Sequence, residues 1–99
     1  MMSVDLHYIC KHGDNHQKIG DQLFETGNWT ATDQLADEAI GGRIYLHEKQ
    51  NENAWHGGTV TQWRNASNGK RKIFTYLVDG PFRVKCNENW AQERAIIRH

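Results

Sequence analysis

The chain holds one proline, two cysteines and no apolar run near 18 residues, and its formal charge at neutral pH is zero. Each shortage excludes something. Without a long apolar run there is no membrane-spanning helix in the sequence. The N-terminus lacks the charged-then-apolar pattern of a secretory signal, so the expected compartment is the cytoplasm. In a reducing compartment Cys10 and Cys86, 76 positions apart, are expected as thiols rather than a disulfide. The triplets Asn28-Trp29-Thr30 and Asn65-Ala66-Ser67 then carry no glycan. Zero net charge makes a poor non-specific nucleic-acid binder, because that binding rests on neutralising many phosphates. No Gly-x-Gly-x-x-Gly, phosphate loop, Gly-x-Ser-x-Gly or His-Glu-x-x-His occurs. Pro81 marks a single bend, and there is no linker, repeat or low-complexity tract.

What is present fits one small folded domain spanning residues 1–99. A chain this long buries roughly two thirds of its unfolded surface, enough for one core. The apolar share is 37%, but four Trp, three Tyr and three Phe supply large core pieces. Charge is uneven. Residues 1–50 carry eight acids and four bases, and residues 51–99 carry eight bases and four acids, giving −4 and +4. A local basic face remains available to a nucleic acid.

Periodicity gives the elements. Val4, Leu6, Tyr8 and Cys10 alternate with Asp5, His7 and Ile9, which predicts a strand over 4–11. His12 to Gln17 reads as a loop, and Ile19–Glu25 as a short strand or an irregular segment. Thr30 or Thr32 can cap a helix over about Thr32 to Ile40, with Leu35, Ala36, Ala39 and Ile40 apolar and Gly41-Gly42 ending it. Strands are predicted over 43–50, 59–65, 72–78 and 82–86, with a hairpin turn at 65–71. Residues 90–98 are either a helical turn or a strand, and Ala95-Ile96-Ile97-Arg98 favours a strand that closes the sheet. The expected fold is α+β and mainly β: a small antiparallel β-barrel of five to six strands with one short helix, closure removing most edges.

Four constellations bear on chemistry. Cys10 and His12 fall on one face of a strand, about 6–7 Å apart, so with His16 and Cys86 they form a possible zinc set. The tight Cys-x2-Cys pair is missing, and the plainer reading is a core thiol with solvated histidines. Trp55, His56, Gly57 and Gly58 form the second. Two glycines allow a close backbone approach, or a tight strand entry. Trp55, in a polar loop, is either a lid over the barrel's open end or a stacking platform for a flat ligand. His47 and Glu48, adjacent on a strand, point to opposite faces and form no dyad. Asn28-Trp29-Thr30 is the third: Trp29 either staples the helix or walls a cavity at its N-terminus. Arg64, Lys70, Arg71 and Lys72 are the fourth, a soluble hairpin tip or a grip on a phosphate backbone.

The layout of Trp before a helix, then Ala39-Ile40-Gly41-Gly42-Arg43-Ile44-Tyr45-Leu46-His47-Glu48-Lys49, then His56-Gly57-Gly58-Thr59-Val60-Thr61-Gln62-Trp63, resembles the PUA-like superfamily, its EVE and ASCH domains most closely. The resemblance covers about Gly27 to Val78, and Gly41-Gly42-Arg43 stands where EVE domains keep a Gly-Asp. It implies a nucleobase cavity with aromatic and polar walls, Trp29 the best wall. Base flipping uses such a cavity, with stacking and edge hydrogen bonds. Asn15, Asn28, His12, His16 and His56 are chosen from their chemistry as groups able to read a base edge or face the ligand. The leading expectation is therefore a binding module for a nucleic-acid base or nucleotide, with no cofactor. Two alternatives stand beside it. One is a small nucleotide-directed enzyme using His12, His16 or His56 for proton transfer. The other is a protein–protein adaptor or inhibitor of phage or mobile-element origin.

Overall fold

In the computed structural model, residues 4–11, 16–67, 71–86, 90–91 and 94–98 are described. His12, Asn15 and Lys70 lie outside the described residues. Eight strands and one helix follow in the order β1 (Val4–Ile9), β2 (His16–Gly20), β3 (Leu23–Thr30), α1 (Asp33–Ala39), β4 (Arg43–His47), β5 (His56–Asn65), β6 (Arg71–Leu77), β7 (Trp90–Ala91) and β8 (Arg94–Arg98). They form one sheet in the order β2-β3-β6-β5-β4-β1-β8-β7.

The sheet is mixed. β1 pairs in parallel with β4, and the other pairings are antiparallel. A parallel neighbour requires a crossover, and here β2, β3 and α1 supply it. Two more strands are present than the upper expectation. Residues 16–30 and 90–98 each form two strands where at most one is expected, and in the first segment glycine and polar side chains mask the period-two signal. Residues 82–86, expected as a strand, are irregular: Val84 N–H turns back to Phe82 O, and Ala54 N–H takes Val84 O.

The helix matches its sequence signals. Thr32 Oγ1 accepts from Leu35 N–H at 3.1 Å, and Asp33 sits in the first turn. Gly41 follows the helix at φ +88°, a conformation that suits glycine. A Cβ on Gly42 would lie 1.9 Å from Val4 O, so the chain enters β4 with no room for a side chain.

Val4, Leu6, Tyr8, Ile44, Leu46, Val60, Phe74 and Tyr76 form the core under Leu35, Ala36 and Ala39. Burial of such side chains stabilises the fold by roughly 1.5–3 kcal/mol each. Trp29 is stacked on Tyr8, with ring centroids 4.4 Å apart. Yet β3 and β1 are four steps apart in the sheet, about 19 Å if it were flat. The sheet is therefore strongly curled. Arg94 on β8 donates to Thr30 O at the end of β3, 2.7 Å away, which bridges the curl with a side chain. No strand ladder closes it among the described residues, where β2 and β7 are the edges.

Candidate functional site

Two groups of histidines come together, the first by strand pairing and the second by the curl. β1 and β4 run side by side, with His7 opposite Tyr45 and Ile9 opposite His47. Period two then puts His7, Tyr45 and His47 on one face. His7 Nδ1 and His47 Nε2 are 2.9 Å apart, and His47 Nδ1 is 2.9 Å from Glu52 O. The carbonyl can only accept, so His47 Nδ1 carries its proton. His7 Nδ1–H then donates to the lone pair of His47 Nε2. His7 stacks on Tyr45 at 4.8 Å, and Trp90 packs edge-on against both histidines. Burial holds the His7 pKa down to about 4; His47 lowers it further and Asp5 opposes. Burial also lowers His47. This is a neutral, buried pair.

The second group lies on the concave face. His56 Nδ1 is 2.7 Å from Tyr76 Oη and 3.3 Å from His16 Nε2. His16 stacks on Phe24 at 4.8 Å with an interplanar angle of 11°, and Trp55 meets it edge-on at 5.2 Å. Phe24 and Phe82 flank His56 at 4.6 and 5.2 Å. Burial pushes the Tyr76 phenol pKa far up, and the Cys10 thiol adds to this. Tyr76 is thus a neutral phenol, able to donate to His56 Nδ1 or to accept from its N–H. The three polar groups come from β2, β5 and β6, and the aromatic side chains between them fix the rings.

His16 also lines an open cleft of about 200 Å³ with Gln17, Glu25, Thr26, Gly27, Asn28 and Ile73. The cleft has a local cause. β3 carries one extra residue relative to β6 between Thr26 and Trp29, a bulge at Gly27-Asn28. The bulge lifts Asn28 out of the ladder beside His16. Two arginines flank it. Arg71 donates to Asn28 O at 3.3 Å, and Arg64 reaches both Glu25 carboxylate oxygens at 3.3 Å.

The expected site residues thus separate. His16, Asn28, Trp55 and His56 gather around or beside the cleft, with Arg64 and Arg71 at its edge. Trp29 does not line it: at 6% exposed it is a core ring, and its Nε1–H donates to Thr26 Oγ1 at 3.0 Å. Trp55 is half-buried and donates to Cys10 O at 3.0 Å, which makes it a fixed wall rather than a free lid. Lys72, expected on the phosphate-gripping tip, is 3% exposed. Its ammonium bonds Asn65 Oδ1 at 2.8 Å and Asp33 Oδ1 at 2.9 Å, and lies 5.2 Å from the Trp63 ring centre. It is a structural cation. Gly57 and Gly58 approach backbone rather than a ligand: a Cβ on Gly58 would lie 2.2 Å from Leu77 O. Cys10 and Cys86 are buried thiols. Among the described residues no three His, Cys, Asp or Glu side chains gather as a metal set. His12 of the zinc set lies outside them.

No family model matches the chain, and no curated protein or solved structure is significantly similar to it. No helix among the described residues is long and apolar enough to cross a membrane.

The sequence reading missed Tyr76, Phe24, Glu25 and the His7–His47 pair. His7 had a signal, since it sits on the off-phase face of a strand that is buried on both sides. Tyr76 and Phe24 read as ordinary core residues.

Proposed function

We propose that this protein is a small binding module for a nucleobase or nucleotide, built as a barrel-like curl of the PUA-like kind and working in the cytoplasm. One observation carries the reading: the β3 bulge sets Asn28 beside His16 in a cleft flanked by Arg64 and Arg71. Asn28 offers an amide able to donate and accept on a base edge, and His16 adds one imidazole. The arginines suit a phosphate or ribose-phosphate next to the base, as fork-shaped donors do. A cleft of about 200 Å³ is smaller than the roughly 300–1,000 Å³ that holds a drug-sized ligand, which favours one ring system over a long strand.

The test is nucleotide titration followed by tryptophan fluorescence, at low and high salt. The expected result is a base-dependent change that survives high salt and is lost in Asn28→Ala. A response to every polymer that vanishes with salt would leave only phosphate contact. No response at either salt would reject the module and turn attention to a protein partner.

The His16–His56–Tyr76 chain also favours a second reading, a nucleotide-directed enzyme with His16 or His56 moving protons. Turnover that vanishes in His56→Gln while nucleotide binding persists would support it. Unchanged turnover in both histidine variants would sink it.

A further inference from the structure

The His16–His56–Tyr76 cluster differs from the His7–His47 pair in how its hydrogens can be placed. In the buried pair, every hydrogen follows from the Glu52 carbonyl. In the cluster, His56 Nδ1 faces both Tyr76 Oη at 2.7 Å and His16 Nε2 at 3.3 Å. A neutral imidazole nitrogen carries one lone pair or one hydrogen. Either Tyr76 donates to that lone pair, or His56 Nδ1–H is shared between Tyr76 Oη and the His16 Nε2 lone pair; in both cases the two ring nitrogens face each other.

We propose that His16 Nε2 and His56 Nδ1, with Tyr76 Oη beside them, bind a divalent transition-metal ion, Cu²⁺ or Zn²⁺. The spacing fits. Two nitrogens on one tetrahedral ion at about 2.0–2.1 Å lie about 3.3 Å apart, the separation found here. The His7–His47 separation of 2.9 Å is instead that of a hydrogen bond. Imidazole nitrogens suit both ions. The three groups sit on three hydrogen-bonded strands, so little ordering is needed. Phe24, Trp55 and Phe82 enclose them in an apolar shell of the sort that orients metal ligands and limits water. His16 also lines the cleft, which gives an ion a path from solvent. Two imidazoles leave coordination positions open, so the site is exchangeable rather than a closed structural centre, with the neutral Tyr76 phenol a hydrogen-bonding neighbour rather than a ligand.

The experiment titrates ZnCl₂ or CuCl₂ alone into the protein, with no nucleotide. Cu²⁺ should quench Trp55 saturably, and Zn²⁺ should shift the ¹⁵N resonances of His16 Nε2 and His56 Nδ1. His16→Gln and His56→Gln should each weaken binding by at least about tenfold, and Tyr76→Phe by less. Asn28→Ala should leave metal binding intact, which separates this proposal from the base-binding one. The proposal is overturned by absence of saturable binding, by affinity unchanged in both histidine variants, or by ¹⁵N shifts confined to other imidazoles. If a variant fails to fold, the resonances of the native protein decide alone.

Discussion

Acid should unfold this protein through the His7–His47 pair, over a pH range that its environment sets. His7 is 4% exposed and faces His47, Tyr45 and Trp90, and the Asp5 carboxylate acts on it as well. Its pKa falls from an ordinary 6.5 to about 4 in the folded chain. A base depressed in this way binds its proton more readily when unfolded. Its contribution is therefore complete above pH 6.5 and is lost as pH falls toward 4. The full difference is about 3 kcal/mol at roughly 1.4 kcal/mol per pKa unit, and about 2 kcal/mol of it goes between pH 7 and pH 5. His47 adds to the loss, because its pKa is lowered as well. Protonating it would also set Nε2–H against the His7 Nδ1–H. Urea unfolding at pH 7, 6 and 5 measures the effect. His7→Gln removes the titrating ring, so its stability should fall about 2 kcal/mol less than wild type across that interval, whatever its absolute stability. Equal pH dependence in the two proteins would refute the reasoning, as would an NMR titration placing His7 above pH 6.

Three other expectations follow from the same packing. Lys72→Ala strips the partner from Asn65 Oδ1 and leaves a gap under Trp63, so urea unfolding should show a loss of about 2–3 kcal/mol. Arg64→Ala and Arg71→Ala should leave stability within about 0.5 kcal/mol, but each should lower the salt slope of any oligonucleotide binding by about one unit. Gly42→Ala should cost at least about 3 kcal/mol, read as a lost or much lowered melting transition, because its Cβ would overlap Val4 O.

Local chemistry made part of this fold legible. Thr32, the Leu35/Ala36/Ala39 face and Gly41-Gly42 placed the helix to within a residue at each end, because capping and the apolar stripe are short-range signals. Val4, Leu6 and Tyr8 placed β1, and Ile73 to Leu77 placed most of β6, by period two and β-branched content. β2 and β3 were hidden. His16 to Thr30 is mostly polar because β2 is an edge strand and β3 is bulged, so neither shows a clean alternation. The parallel β1–β4 pairing was hidden too, since no residue pattern states which strand lies beside which.

The site divides along the same line. Residue type alone marked His16, Asn28 and His56, because amides and imidazoles in polar segments are suited to bind something. It could not separate Trp29 from Trp55. Both lie among polar residues in sequence, but the curl turns Trp29 onto Tyr8 and leaves Trp55 beside His16. It also could not show that Lys72 is consumed by Asn65 and Asp33 while Arg71 stays at the surface. What decides these roles is curvature. A flat sheet would hold His16 and His56 three strands apart, about 14 Å, and neither a shared cleft nor a shared ion could follow. Three steps of curl bring those nitrogens to 3.3 Å. A substitution that flattens the sheet far from the cleft should therefore abolish ligand and metal responses together. One at Asn28 should abolish only the first.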